Sequence, residues 1–200
     1  TTTGTPLAAI DASVLTTRRT AAATVVATRA LARPESRIHA VIGTGELAGA
    51  HLEAFAAALP FAETRIWGRN RAAADTLAED LSGLNGKIVA VDQVEDAVAG
   101  ADVVTTVTAA KRPVLFGRHL EPGQHLNLVG ASMADAREID DEGVARGRFF
   151  TDYRSSAEQQ AGELIGAIEA GVVDVGHLVG EIGEEWPDRL DAAVEAYRNQ

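Results

Sequence analysis

Short runs of β-branched and aliphatic residues alternate along this chain with Ala-rich stretches whose apolar positions recur every three or four residues. The runs at Ile38–Ile42, Thr64–Trp67, Lys87–Val91, Asp102–Val107, His125–Val129 and Arg148–Thr151 read as six strands. Between them, Leu47–Leu59, Arg71–Leu81, Gln93–Ala99 and Glu142–Gly147 read as helices, with Leu52, Phe55, Ala56 and Leu59 spaced as one buried face. Turn-forming residues fall at the joins: Leu59-Pro60, Ser82-Gly83, Asn85-Gly86, Gly100 and Pro122-Gly123. Ahead of the first strand, Ala12–Arg33 reads as a long helix that Asp11 or Ser13 could cap and that Pro34 stops by forcing its predecessor out of the helical region. Beyond the last strand, Ser155–Ala170 and Asp188–Arg198 read as helices joined by a Gly-rich stretch. No repeat and no low-complexity linker interrupts the series. Strand and helix in strict alternation predict parallel βαβ units and the α/β class.

Residues 41–48 read VIGTGELA, so a G-x-G-x-x-A loop follows the first strand and opens the next helix. In that pattern Gly43 permits the tight turn, Gly45 lets the backbone approach a diphosphate, and Ala48 is small enough for helix and strand to pack. The first N–H groups of the helix, and its dipole, then face the diphosphate. Placed at the first βα junction of the alternation, the loop predicts a Rossmann-type doubly wound parallel sheet with flanking helices that binds a dinucleotide. The end of the second strand is where an Asp or Glu would hydrogen-bond the ribose hydroxyl of NAD, yet the sequence there is WGRNRAAA. Gly68 is followed by Arg69, Asn70 and Arg71; guanidinium groups grip a phosphate that an acid would repel, so the loop favours NADP(H) over NAD(H). The alternative is that these arginines are solvated charges at a helix start.

Composition narrows the partners. Of 200 residues, 29 are Asp or Glu against 18 Lys or Arg, a formal net charge of −11, and there is no cysteine. An acidic chain with Lys87 and Lys111 as its lysines repels phosphate backbones and anionic membrane surfaces, so neither nucleic acid nor membrane is expected as a partner. No apolar run approaches the roughly 18–20 residues of a membrane-spanning helix, and no signal pattern opens the chain. The lack of cysteine removes disulfides, thiolate metal sites and a Cys nucleophile, which suits the cytoplasm. The sole methionine is Met133, so either an initial Met was removed or this is part of a longer protein.

Other chemistry finds little footing. His39, His51, His119, His125 and His177 lack metal-ligand spacing and read as isolated surface or strand-end histidines, although His119 and His125 could meet across a loop; no metal is expected. No G-x-S-x-G elbow exists for a hydrolase. The acids Glu138, Asp140, Asp141 and Glu142 read as capping and solvating the helix that follows.

The glycine loop, the Arg-containing end of the second strand, TVTAAKRPVLFG (106–117) and HLNLVGASMADAREIDD (125–141) together resemble the ornithine cyclodeaminase/mu-crystallin family. LTTRRTAAAT (15–24) resembles that family's helix leading into the dinucleotide domain, and GELIGAIEAGVV with GEIGE (162–173 and 180–184) its tail. The resemblance implies NAD(P)-linked redox chemistry at an amino-acid C–N bond. By matching position it implies that Thr44, Glu46 and Leu47 lie over the diphosphate, Gly68, Arg69 and Asn70 at the adenosine ribose, and Thr108, Ala109 and Val129 beside the nicotinamide. Arg19 would sit near the substrate carboxylate. Ser132 stands where cyclodeaminases carry an Asp that handles protons, a departure that points away from ornithine cyclodeaminase and towards reduction of a ketimine or cyclic imino acid. Ornithine cyclodeaminase, alanine dehydrogenase and a non-catalytic NADP(H)-binding protein remain the alternatives. The implied partition is residues 1–35 as a leading strand and helix from the substrate and dimerisation part, 36–154 as the NAD(P)-binding domain and 155–200 as C-terminal helices. Family members carry a preceding domain that supplies a substrate-binding lysine and arginine and much of a dimer interface, together with a Thr-Leu-Phe-Lys-Ser-like segment near the C-terminus. This sequence has neither, so it resembles the cofactor half of such an enzyme, a homodimer where that domain is present, acting on a small amino-acid-derived substrate.

Overall fold

The computed structural model of the chain describes Thr5, Ala8, Ala9 and residues 11–182. The elements run α1 (Ser13–Leu31), β1 (Ile38–Ile42), α2 (Glu46–Ala58), β2 (Glu63–Trp67), α3 (Arg71–Asp80), β3 (Lys87–Ala90), α4 (Val94–Val98), β4 (Val103–Thr106), β5 (His125–Leu128), α5 (Asp141–Arg146), β6 (Phe149–Thr151), α6 (Arg154–Gln160), α7 (Gly162–Glu169) and β7 (Leu178–Glu181). Strands β1 to β5 form one parallel sheet in the order β3-β2-β1-β4-β5. After β3 the chain therefore crosses to the far side of β1, and the point of reversal lies between β1 and β4.

Both central strands are buried along almost their whole length because helices cover both faces. Alternation along β1 divides the core. Ala40 and Ile42 face a layer holding Val94, Ala97 and Val98 of α4 and Val144 of α5, while Val41 faces Ala48 and Leu52 of α2 and Ala74 and Ala78 of α3. Val25 of α1 packs with Phe55, Phe61 and Val103 at the lower end of that second layer. Asp102, one residue before β4, accepts from the backbone N–H of Arg37 at 2.7 Å and of Ile38 at 3.0 Å and pairs with Arg33 at 2.6 Å. It thereby joins the start of β1 to β4.

Several expectations are corrected. Phe149–Thr151 is a strand, but it lies outside the main sheet and pairs in parallel with Leu178–Glu181 as a two-stranded ribbon. That partner falls within the Gly-rich stretch read as a join; Gly176 and Gly180 mask a short strand whose Leu178 and Gly180 turn inward. The helix expected over Ser155–Ala170 is two helices that break at Ala161. A side chain on Gly162 would place its Cβ 2.0 Å from the Ala136 carbonyl, so the loop 133–136 runs directly against the start of α7. At α1 the N-cap is Ala12, which brings no side-chain bond; Asp11 accepts from the Ser13 N–H and hydroxyl instead. His39 and His51 are fully buried rather than on the surface or at a strand end. His39 stacks on Phe61 with its Nε2 2.9 Å from the Thr105 hydroxyl, and burial drives its pKa down to about 3. His51 donates from Nδ1 to the Leu47 carbonyl at 2.6 Å and sets Nε2 3.1 Å from the Thr24 hydroxyl, which ties α2 to α1. His119 lies beside Glu95 and His125 beside Asn127. The helix expected over Asp188–Arg198, and most of the leading strand, lie outside the described residues. Among the described residues no helix is long and apolar enough to cross a membrane.

Candidate functional site

The C-terminal ends of β1 and β4 part at the reversal point, and Gly43 sits between them. Its N–H donates to the Trp67 carbonyl at 2.8 Å, its φ is +126°, and a Cβ there would lie 2.8 Å from the Val107 carbonyl. Both the conformation and the space require glycine. Gly45 is the opposite case, with open space where a side chain would be. It is the N-cap of α2, no side chain caps that helix, and Glu46 and Leu47 open its first turn. The N-terminal N–H groups and positive dipole end of a 13-residue helix thus face an open approach. Ala48 is fully buried under β1, as close packing of helix on strand needs. Thr44 seats its methyl on Gly68, where a Cβ would come within 2.4 Å, so the glycine loop and the end of β2 form one wall. Across the way, the Glu46 carboxylate accepts from Thr17 of α1 at 3.3 Å.

At the end of β2, Asn70 caps α3, its Oδ1 accepting from the N–H groups of Ala72 and Ala73 at 3.1 and 3.4 Å. Arg71 is committed to two carboxylates, Asp75 at 2.9 Å and Asp92. Arg69 is exposed and has no ion pair among the described residues, so it is the guanidinium available to a phosphate.

Thr108 and Ala109 follow the end of β4 and Val129 the end of β5, on the other side of the reversal point from β1. What joins these two ends is a residue read from sequence as part of a surface acid cluster. Glu138 is fully buried. Its Oε1 accepts from the Thr108 N–H at 2.6 Å and the Thr108 hydroxyl at 2.7 Å, and its Oε2 from the Thr106 hydroxyl at 2.8 Å and the Gly130 N–H at 2.6 Å. Burial raises its pKa despite these four donors. Of the same cluster, Asp140 does cap the next helix, accepting from the Gly143 N–H at 3.0 Å, and Asp141 and Glu142 occupy that helix's first turn. Behind Glu138 lies a second buried acid, Glu163, whose Oε1 accepts from the Glu138 N–H at 3.1 Å. Burial pushes Glu163 up to about 7, the Glu138 carboxylate adding to the rise while the backbone N–H groups of Glu163 and Glu138 and the charge of Arg137 oppose it. Glu163 could have been found from sequence, since it shares a helical face with Leu164 and Ala167. Nothing local distinguishes Glu138 from its solvated neighbours.

Ser132 is exposed in the loop after β5, its N–H donating to the Gly130 carbonyl at 3.0 Å. Arg19 is exposed on α1, two residues beyond the Thr17 that reaches Glu46. The structure thus gathers Gly43, Thr44, Gly45 and Gly68 into one wall and Thr108, Val129 and Gly130 into another, and leaves Ser132 and Arg19 on separate exposed segments. Among the described residues no cluster of His, Asp or Glu could hold a metal ion.

A parallel sheet in this order, with a glycine loop and an open helix N-terminus at the reversal point, defines a dinucleotide-type Rossmann domain. The chain belongs to the ornithine cyclodeaminase/mu-crystallin family, whose model matches residues 1–186. It is 40% identical over 162 residues to the ketimine reductase mu-crystallin of Rattus norvegicus, covering 81% of this chain and 51% of that protein. Among solved structures, the Delta(1)-pyrroline-2-carboxylate reductase of Thermococcus litoralis, in complex with NADH and L-proline, superposes with a TM-score of 0.85 at 30% identity over 98% of this chain and 58% of the other. The iminosuccinate reductase of Paracoccus denitrificans, in complex with NAD+, gives a TM-score of 0.79 at 28% identity over 92% and 54% of the two chains. The chain spans about half the length of the curated relatives it matches.

Proposed function

We propose that this chain is the cofactor-binding part of an imine reductase that takes a hydride from NADPH to the C=N carbon of a ketimine or cyclic imino acid derived from a small amino acid. The observation that carries the reading is the wall of Gly43, Thr44 and Gly45 at the start of α2, open where a diphosphate would lie and crowded where only glycine fits. The relatives' reductase activities support the reaction class. When bound, the nicotinamide supplies hydride at its C4, and the protein's part is orientation and exclusion of water. Thr44 and the first N–H groups of α2 hold the diphosphate. Thr108, Ala109 and Val129 line the ring's side of the cleft. Arg19 pairs with the substrate carboxylate, and Ser132 contacts the substrate from the loop after β5.

Preference for NADPH over NADH rests on the end of β2, where no acid stands to receive a ribose diol and Arg69 is free to meet a 2′-phosphate. Serine at 132, which cannot serve as a base near neutral pH, favours imine reduction over cyclodeamination. Residues 1–35 belong on this reading to the substrate and dimerisation part of a cytoplasmic homodimer, in keeping with the exposed Val14, Leu15 and Val26 of α1.

Thermal unfolding with and without cofactor tests the reading. A ligand at 100 times its dissociation constant stabilises by about 2.7 kcal/mol, so NADPH should raise the melting temperature clearly and more than NADH does. Equal responses overturn the NADP preference, and no response to either overturns the dinucleotide site.

A further inference from the structure

The ends of β4 and β5 are held by more than the sheet. Gly130 presses so closely on the end of β4 that a Cβ would lie 1.9 Å from the Thr108 carbonyl, and both strand ends then turn their remaining donors onto one carboxylate. Glu138 is itself fixed from every side. Its N–H donates to Glu163 of α7, and its carbonyl accepts from the N–H groups of Val114 and Leu115, both at 2.9 Å. Its two oxygens take the four donors described above, with no ion pair among the described residues.

We propose that Glu138 is a positioning residue for the nicotinamide side of the cleft: by binding the Thr108 and Gly130 N–H groups on opposite oxygens it locks the ends of β4 and β5 into one rigid surface for the ring. This deepens the dinucleotide reading and rests on it. The geometry requires a carboxylate and not merely a polar group of that size. A backbone N–H points at each oxygen, and neither N–H can turn away. Glutamine, though isosteric, must set its NH2 against one of them in either orientation, leaving two donors face to face. The hydroxyls of Thr106 and Thr108 can rotate to accept, but the backbone cannot. The lock lies on the β4–β5 side of the reversal point, and its donors are Thr106, Thr108 and Gly130, none of them a residue of the glycine loop or of the end of β2. Its loss should therefore be felt by the nicotinamide end of the cofactor and not by the adenosine or diphosphate.

The test compares Glu138→Gln with the unmodified chain in calorimetric titrations with NADPH and with 2′-phospho-ADP-ribose, which lacks the nicotinamide ring. An unsatisfied buried donor is expected to weaken NADPH by roughly tenfold or more, while affinity for the ring-less fragment stays within about twofold. Amide hydrogen exchange of the unliganded chain gives a second readout: Thr108 and Gly130 should exchange at least about tenfold faster in the variant, with Gly43 and Gly45 unchanged. Equal weakening of both ligands, no weakening of either, or unchanged exchange at Thr108 and Gly130 overturns the proposal. An unmodified chain that binds neither ligand instead overturns the dinucleotide reading, and the proposal with it. Should Glu138→Gln fail to fold, Thr106→Val removes one hydroxyl donor and keeps both backbone N–H groups. NADPH weakened about threefold or more, with the fragment unaffected, supports the lock; equal effects on the two ligands overturn it.

Discussion

Replacing Glu163 by Gln removes a buried charge without removing the contact it makes, because the amide carbonyl can still accept the Glu138 N–H. The carboxyl has an ordinary value of 4.5 and is raised by burial to about 7 in the folded chain. At about 1.4 kcal/mol for each pH unit, that rise corresponds to about 3 kcal/mol. Its sign follows from proton counting. Below pH 4.5 the acid is neutral folded or unfolded and costs nothing. Between 4.5 and 7 the folded chain keeps a proton that the unfolded chain has released, so stability falls as pH rises, and above 7 the loss is complete. Of the groups that face Glu163, the Glu138 carboxylate adds to the shift, and the backbone N–H groups of Glu163 and Glu138 and the Arg137 guanidinium oppose it. Elsewhere His39, held neutral with a pKa near 3, works in the other direction: its contribution is complete above its ordinary 6.5 and is lost as pH falls towards 3. The two slopes oppose each other across mildly acidic pH and would hide one another in the unmodified chain alone. Urea unfolding of both proteins from about pH 4 to 8.5 removes the His39 contribution by difference, because that residue is common to both. The stability of Glu163→Gln relative to the unmodified chain should climb by up to about 3 kcal/mol across this range and flatten above about 7. A difference that stays level with pH refutes the reasoning.

Gly43→Ala forces a side chain into a backbone with φ of +126° and against the Val107 carbonyl, and should destabilise the chain by about 2 kcal/mol or more and abolish the NADPH-induced rise in melting temperature; urea unfolding and thermal shift at unmodified values would refute the steric argument. Asp92→Asn releases Arg71 from one of its two carboxylates at an exposed position, so stability should scarcely change while NADPH affinity rises several-fold and NADH affinity does not. Titrations in which the two cofactors respond equally would remove this corner from the 2′-phosphate site.

The β1–α2 junction was legible because its information is local. A strand, a G-x-G-x-x-A turn and an amphipathic helix each follow from neighbouring residues, and Gly43 is glycine for a reason that the motif itself carries. The same holds for Pro34, which lies just beyond the end of α1. The second wall of the cleft was legible only as positions. Thr108 and Val129 could be placed by resemblance, but the tie through Glu138 joins residues 30 to 32 apart in sequence for three of its bonds and eight apart for the fourth, from Gly130.

Residue types and their periods therefore determined the five strands of the main sheet, the helices between them and the loop at the end of β1, since these depend on backbone preference and on which face of each element is apolar. The tertiary structure alone decided that β6 leaves the sheet to pair with β7, that the tail helix breaks where loop 133–136 crosses it, that Arg71 is occupied by Asp75 and Asp92, and that Glu138 is buried where its neighbours are solvated. Each of these depends on which distant group comes within hydrogen-bonding or van der Waals reach. Side-chain chemistry constrains such a meeting, but only the packed chain brings it about.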